Sequence, residues 1–307
     1  MRIFVFLVIF ILQFPLNLSA FPQLINGKLM IAVAGGSSKF MTAIEGKLLK
    51  TDFAQPVERK QLNKLLKESN LEQSGLVKDG PKIGKTLGAY YIVLFDNHKS
   101  TSFKLVQVET TRILGAWESY TEKNVSELLN ILEVEASLIQ LINLKSPNKK
   151  TEIELMEVFS NAELENEGVK FGEPIEIEYT ITSKIKEVYV TILVYTMDGA
   201  IVQVFPNKYQ SDNRVPSNTE LKFPPENAPG KYKLLAAPPE GYDKIVVIAS
   251  EKPVVLPQKE TVSLGKNGMY QGIVGGSWKG TKGVRLSLQK VGGNYDVRQL
   301  TLNIREK

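Results

Sequence analysis

The hydrophobic periodicity of the chain changes at about Thr151, and this change limits the fold more than any other feature. From Leu29 to Asn143, apolar runs of strand length alternate with stretches whose apolar residues recur every three or four positions. Beyond Thr151 only runs of strand length remain, separated by turn residues. Alternating strands and helices build an α/β layer, whereas a series of short strands builds a sandwich or barrel. Two units are therefore expected in the 307 residues, since a domain usually takes about 100–150. The expected class is α+β: residues 21–150 a mixed sheet packed with helices, residues 151–307 an all-β antiparallel sandwich.

Within the first unit, Leu29 to Ala34 reads as a buried strand and Lys39 to Lys50 as a helix with Phe40, Ala43, Ile44, Lys47 and Leu48 at helical spacing. Helices are also predicted over Glu58 to Ser69 and Pro81 to Leu87. Strands follow over Tyr90 to Phe95, Phe103 to Val108 and Arg112 to Tyr120, the last two joined at Glu109-Thr110-Thr111, and a long helix over Asn124 to Leu144 closes the unit. Residues 145–150, KSPNKK, punctuate it. In the second unit, Asp198-Gly199 between two β-rich runs signals a tight hairpin. The glycine-rich stretch Gly265 to Gly283 reads as a long loop before a last strand, Tyr295 to Ile304.

The N-terminus carries Arg2, an apolar block from Ile3 to Phe14, then Pro15, Asn17, Leu18, Ser19 and Ala20. That is the layout of a secretory signal peptide, residues 1–20, with cleavage expected between Ala20 and Phe21. Its apolar block is shorter than the roughly 20 residues of a spanning helix. Leu18 is larger than the usual small residue two positions before Ala20, so the bond cut stays open. The sequence holds no cysteine, which excludes disulfides, thiol catalysis and a lipid on cysteine. A net charge of +5, spread over a chain that mixes both signs, lacks the clustered basic face of a nucleic-acid binder.

The stretch Met30 to Phe40, MIAVAGGSSKF, raises the question of a phosphate cradle. A P-loop needs four residues between its glycines and then Gly-Lys-Ser/Thr, but Gly35 and Gly36 are adjacent and Lys39 follows Ser38. The dinucleotide spacing is absent too. What remains is a strand, a glycine turn, and a helix capped by Ser37 or Ser38. His98, the single histidine, falls in a short inter-strand link beside Asn97 and Lys99 and reads as a solvated turn residue. Glu163, Glu165 and Glu167 read as a solvent face, and Asp198, Asp212 and Asn213 lack the spacing of a calcium loop. No catalytic residue, cofactor or metal site is expected.

Several short motifs in order then resemble the CsgG-like family of bacterial envelope proteins, the curli assembly and transport components. They are Val57-Glu58-Arg59 with Gln61-Leu62, Ser74-Gly75-Leu76-Val77, Ile83-Gly84-Lys85 with Leu87-Gly88-Ala89, Leu105-Val106 with Val108-Glu109-Thr110, and Arg112-Ile113-Leu114. The resemblance implies a CsgG-like domain over residues 21–150. The second half resembles a bacterial domain of unknown function, the 4384-like family, through Val188 to Asn207, Asp212-Asn213 and Pro238 to Pro253. That resemblance implies a module and no known chemistry.

The expectation is an exported, non-enzymatic accessory or scaffold protein of the periplasm, associated with the outer membrane or free of it. Its expected partners are other envelope proteins, outer-membrane assembly components among them, and a homo-oligomer is an open option. Neither nucleic acid nor a small-molecule substrate is expected. One alternative is a subunit of a curli-type secretion complex; another is an enzyme with a dispersed site. Against the first, the family's pore former carries long membrane hairpins and an N-terminal lipid on cysteine, and this sequence has room for neither.

Overall fold

β1 (Leu29–Ala34) pairs in parallel with β2 (Ala54–Pro56) on one side and β3 (Tyr91–Phe95) on the other. Antiparallel β4 (Phe103–Gln107) and β5 (Ile113–Trp117) complete a mixed sheet of order β2-β1-β3-β4-β5. The computed structural model describes residues 24–58, 89–96, 101–108, 112–144, 153–163, 168–196, 199–254, 262–264, 269–273, 277–291 and 293–306. The signal segment, all of the helix predicted over Glu58 to Ser69 but its first residue, the helix predicted over Pro81 to Leu87, His98, the 109–111 turn and residues 145–150 lie outside these.

After β1 the chain turns at Gly35 and Gly36, both with positive φ. A Cβ on Gly35 would stand 2.4 Å from the Phe95 carbonyl oxygen, so only glycine fits against the end of β3. Ser37 then adopts extended backbone and its hydroxyl accepts from the Lys39 N–H at 3.3 Å, starting α1 (Ser38–Leu49), which buries Ile44 and Leu48.

α2 (Glu122–Ile142) starts where Thr121 accepts from the Asn124 N–H at 3.1 Å, with Glu122 in the first turn at the favourable end of the helix dipole. It buries two stripes, each at helical spacing. Val125, Leu128, Leu132, Ala136 and Ile139 pack with β1, β3 and β4, while Val134, Leu138 and Leu141 join a different core. An α-helix apolar on two sides is one enclosed between layers.

That other core belongs to an eight-stranded sheet. Its path is β16 (Val262–Leu264), β17 (Tyr270–Ile273), β11 (Ile201–Phe205), β10 (Glu187–Tyr195), β15 (Gly241–Ser250), β18 (Tyr295–Arg305) and β7 (Val169–Lys170), with β12 (Arg214–Pro216) beside β10. Pairing is antiparallel except for β18 with β7. A three-stranded sheet, β13 (Glu220–Phe223), β9 (Ile177–Ser183) and β6 (Ile153–Ser160), faces it, and a small pair joins β14 (Leu234–Leu235) to β8 (Pro174–Ile175). Between the two larger sheets lie Leu155, Ile177, Tyr179, Ile181, Val190, Ile192, Val247 and Leu302. The predicted sandwich is present, and the Asp198-Gly199 signal marks the β10–β11 hairpin, with Tyr195 opposite Ile201.

The second half is not strands alone, and this corrects the loop expected over Gly265 to Gly283. β17 lies there and pairs antiparallel with β16, and α3 (Ser277–Val291) lies on α2. Leu193, Tyr195, Val246 and Ile248 of the large sheet meet Val284 and Leu288 of α3 and the second stripe of α2. The central strands are therefore covered on both faces, and β15 is buried continuously from Lys244 to Ser250. Gly272 and Gly280 stand at close approaches. A Cβ on Gly280 would come within 2.8 Å of Ile201 Cδ1 and 2.9 Å of Ile273 Cδ1, so any side chain there must displace both isoleucine tips.

Enlarging that residue should strain the helix off the sheet. Gly280→Leu is expected to cost about 1–3 kcal/mol, the usual penalty of overpacking, measured as a lower urea midpoint with an unchanged slope.

Candidate functional site

Among the described residues, charge is buried most deeply where α2 passes between the two sheets. Glu135 on α2 and Lys244 on β15 are 7% and 5% exposed, and Lys244 Nζ lies 3.2 Å from Glu135 Oε1. Tyr91 on β3 donates its hydroxyl to Glu135 Oε2 at 2.7 Å, and Lys244 Nζ donates to Thr301 Oγ1 on β18 at 3.0 Å. One residue of the first sheet, one of the helix and two of the large sheet thus share a network. Arg112, just before β5, places its guanidinium 5.6 Å from the centre of the Tyr242 ring on β15, a second link between the sheets.

Burial is the largest influence on Glu135 and pushes its carboxyl up. The Lys244 ammonium, the Tyr91 hydroxyl and Arg112 outweigh it and hold the carboxyl below its ordinary range. Burial, foremost, and Arg112 press the Lys244 ammonium below its usual value, while Glu135 pulls it back up. The cleft beside the pair is lined by Leu114, Ile131, Val134, Glu135, Tyr242 and Lys244, with room of about 20 Å³. That is the space of one water; a small-molecule site takes roughly 300 Å³ or more. The arrangement can hold two units in register, and the cleft has no room for a metabolite.

The positions weighed in the sequence lie elsewhere. Gly35, Gly36, Ser37 and Lys39 form the turn into α1, with Ser37 as the cap. Glu163 forms an isolated bridge with Leu302 and accepts from the Ser160 N–H at 3.4 Å, while Glu165 and Glu167 lie outside the described residues. Asp212 is engaged by Arg214 at 2.7 Å, which holds its carboxyl down to about 2. Asn213 is buried and donates its side-chain amide to the Val190 carbonyl at 2.8 Å, fastening β12 to β10. Asp198, Ala20 and Phe21 lie outside the described residues. Sequence reasoning missed Glu135 and Lys244. Their signal was an acid inside the apolar run VEASLIQLI and a lysine heading KIVVIAS.

Removing one partner strands the other charge in a buried site. Glu135→Gln is expected to destabilise by about 3–5 kcal/mol, whereas Glu135→Leu with Lys244→Met should return close to wild-type stability. Because folding lowers the carboxyl pKa, its contribution is full above the unfolded value of about 4.3 and is lost as pH falls through the folded value. Acid unfolding followed by circular dichroism should therefore be steeper in the wild type than in the double variant.

Residues 169–253 match the family model of a domain of unknown function, DUF4384, a span that runs from β7 through β15. No curated protein and no solved structure matches the chain. Lys244 lies inside the matched span, and its partners Glu135 and Thr301 lie outside it. The chain thus contains a DUF4384 domain whose buried lysine is neutralised by the rest of the molecule.

Proposed function

We propose that this chain is an exported, non-enzymatic accessory or scaffold protein of the bacterial cell envelope. It works in the periplasm by binding other envelope proteins during assembly or transport. The observation that carries this reading is the way α2 joins the two sheets around a cleft of water size, which suits presentation of outer surfaces better than turnover of a substrate. The signal-like N-terminus and the CsgG-like motifs between Val57 and Leu114 support it.

The same resemblance favours a second reading, a subunit of a curli-type secretion complex. Reach argues against it. β3 and β4 are joined over Asp96–Ser102, where the Asp96 N–H donates to the Ser102 carbonyl at 3.0 Å. Only Glu118 to Thr121 separate β5 from α2. A membrane hairpin needs two strands of about 9–11 residues each.

Fractionation and intact mass of the native protein are expected to find it in the periplasm, starting near Phe21 and without an acyl chain. In-cell cross-linking should join it to specific envelope proteins, and the purified chain should release no dye from loaded vesicles. A cytoplasmic chain that keeps Met1 to Ala20, or one with no specific cross-links, overturns the scaffold reading. A ring-sized species by light scattering that also opens discrete conductance steps replaces it with the pore.

A further inference from the structure

The two larger sheets of the sandwich face each other across the core of Ile177 and Val247, and α2 and α3 cover the central strands of the eight-stranded sheet from behind. The outer face of β13-β9-β6 is left open: along β9, buried Ile177, Tyr179 and Ile181 alternate with exposed Glu178 and Thr182. Phe159 and Lys222 stand opposite Glu178, Glu220 opposite Thr180 and Glu154 opposite Thr182, so all of them share that face. Met156 and Glu157 occupy the bulge of β6 between Leu155 and Val158. Met156 and Phe159 are 55% and 54% exposed, two large apolar side chains three residues apart. Lys222 is engaged, 2.8 Å from Glu176 Oε2 and 3.8 Å from Glu178 Oε1. Glu154, Glu157 and Glu220 are exposed and have no partner among the described residues.

We propose that the outer face of β13-β9-β6 docks an extended, basic segment of another protein, with Met156 and Phe159 as the apolar anchor and the free carboxylates around them as the rim. Methionine and aromatic residues are enriched at the centres of protein interfaces, with charge at the edge, and unpaired acids attract a cationic partner and set its register. Among the described residues no three acids converge to hold a metal ion, so these carboxylates match a row of cations better than a single one. Three strands and seven residues of β9 span roughly 10 by 23 Å, far below the about 800 Å² that each partner gives to a stable interface between folded proteins. One extended segment of about seven residues fits that area, and a second folded copy does not. The segment lies across the face and not along the β6 edge at Leu155, whose N–H and carbonyl are taken by Asp296 and Arg298. This inference rests on the scaffold reading and names the surface and the partner's chemistry.

The test is fluorescence anisotropy of the purified protein with the labelled peptide Lys-Lys-Leu-Lys-Leu-Lys-Lys, which when extended turns two leucines flanked by lysines to one side. Binding should saturate and weaken as salt rises, and Glu-Glu-Leu-Glu-Leu-Glu-Glu should not bind. Phe159→Ala should lower affinity about fivefold or more, the cost of truncating an aromatic anchor. Glu154→Gln with Glu157→Gln should lower it about two- to tenfold. Glu118→Gln with Glu240→Gln removes the same charge from other exposed positions, and Leu49→Ala truncates an exposed leucine of α1; both should stay close to wild type. In cells, a photo-reactive residue at Thr182 should cross-link to an envelope protein, and less so with Glu154→Gln and Glu157→Gln. No saturable binding, equal binding of the acidic peptide, or equal loss in the control variants overturns the proposal. Cross-links from other surfaces alone overturn it and leave the scaffold reading standing, whereas none from any surface overturns both. A cross-link at Thr182 between two copies of the chain assigns the face to self-association and overturns it as well.

Discussion

The placement of α2 between the two sheets depends on one buried contact, the carboxylate of Glu135 against the ammonium of Lys244. Taking each ion out of water costs several kcal/mol, and their attraction recovers that only when the geometry is good and the remaining polar atoms are satisfied. Here Tyr91 holds the second carboxylate oxygen and Thr301 accepts from the ammonium. Leucine and methionine would bury more cheaply, so the value of the pair lies in placement. If α2 slid one turn along the large sheet, about 5.4 Å, both charges would lose their counter-ion.

α2 is also why the molecule does not divide cleanly where its periodicity changes. Its stripe through Leu128 and Leu132 completes the mixed sheet, and its stripe through Leu138 and Leu141 covers the sandwich. Each core is left open if the helix departs. A similar dependence holds across the sandwich. Asp296 of β18 accepts from the Leu155 N–H at 2.9 Å and Arg298 donates to the Leu155 carbonyl at 3.0 Å. Those side chains occupy backbone groups of β6, at the bulge where its pairing with β9 shifts register. An edge treated this way offers less to a foreign strand.

Local features were legible in the sequence. The apolar run Leu29 to Ala34, the cap at Ser37, the strand-only pattern after Thr151 and the hairpin at Gly199 each follow from a few adjacent residues. The helix layer on the sandwich was harder to see. Its trace was the lack of apolar–polar alternation in Val190 to Tyr195 and Ile245 to Ala249, since a strand exposed on one face would alternate. α3 was hidden because glycine was read for its flexibility, whereas Gly280 is there for its small size. The Glu135–Lys244 pair could not be read at all, because nothing local marks which distant lysine an acid in an apolar helix will meet.

β18 follows all of this in the chain, yet β15 pairs with it along its whole length, from Gly241 opposite Ile304 to Ser250 opposite Tyr295. Thr301 within it completes the charge network, and Asp296 and Arg298 hold the facing sheet. During synthesis, the earlier strands must wait with one edge of β15 unpaired until Tyr295 to Arg305 emerge. Contacts of such large sequence separation fold slowly and leave exposed edges in the interval. The late strand therefore sets the time at which the large sheet can close its β15 edge.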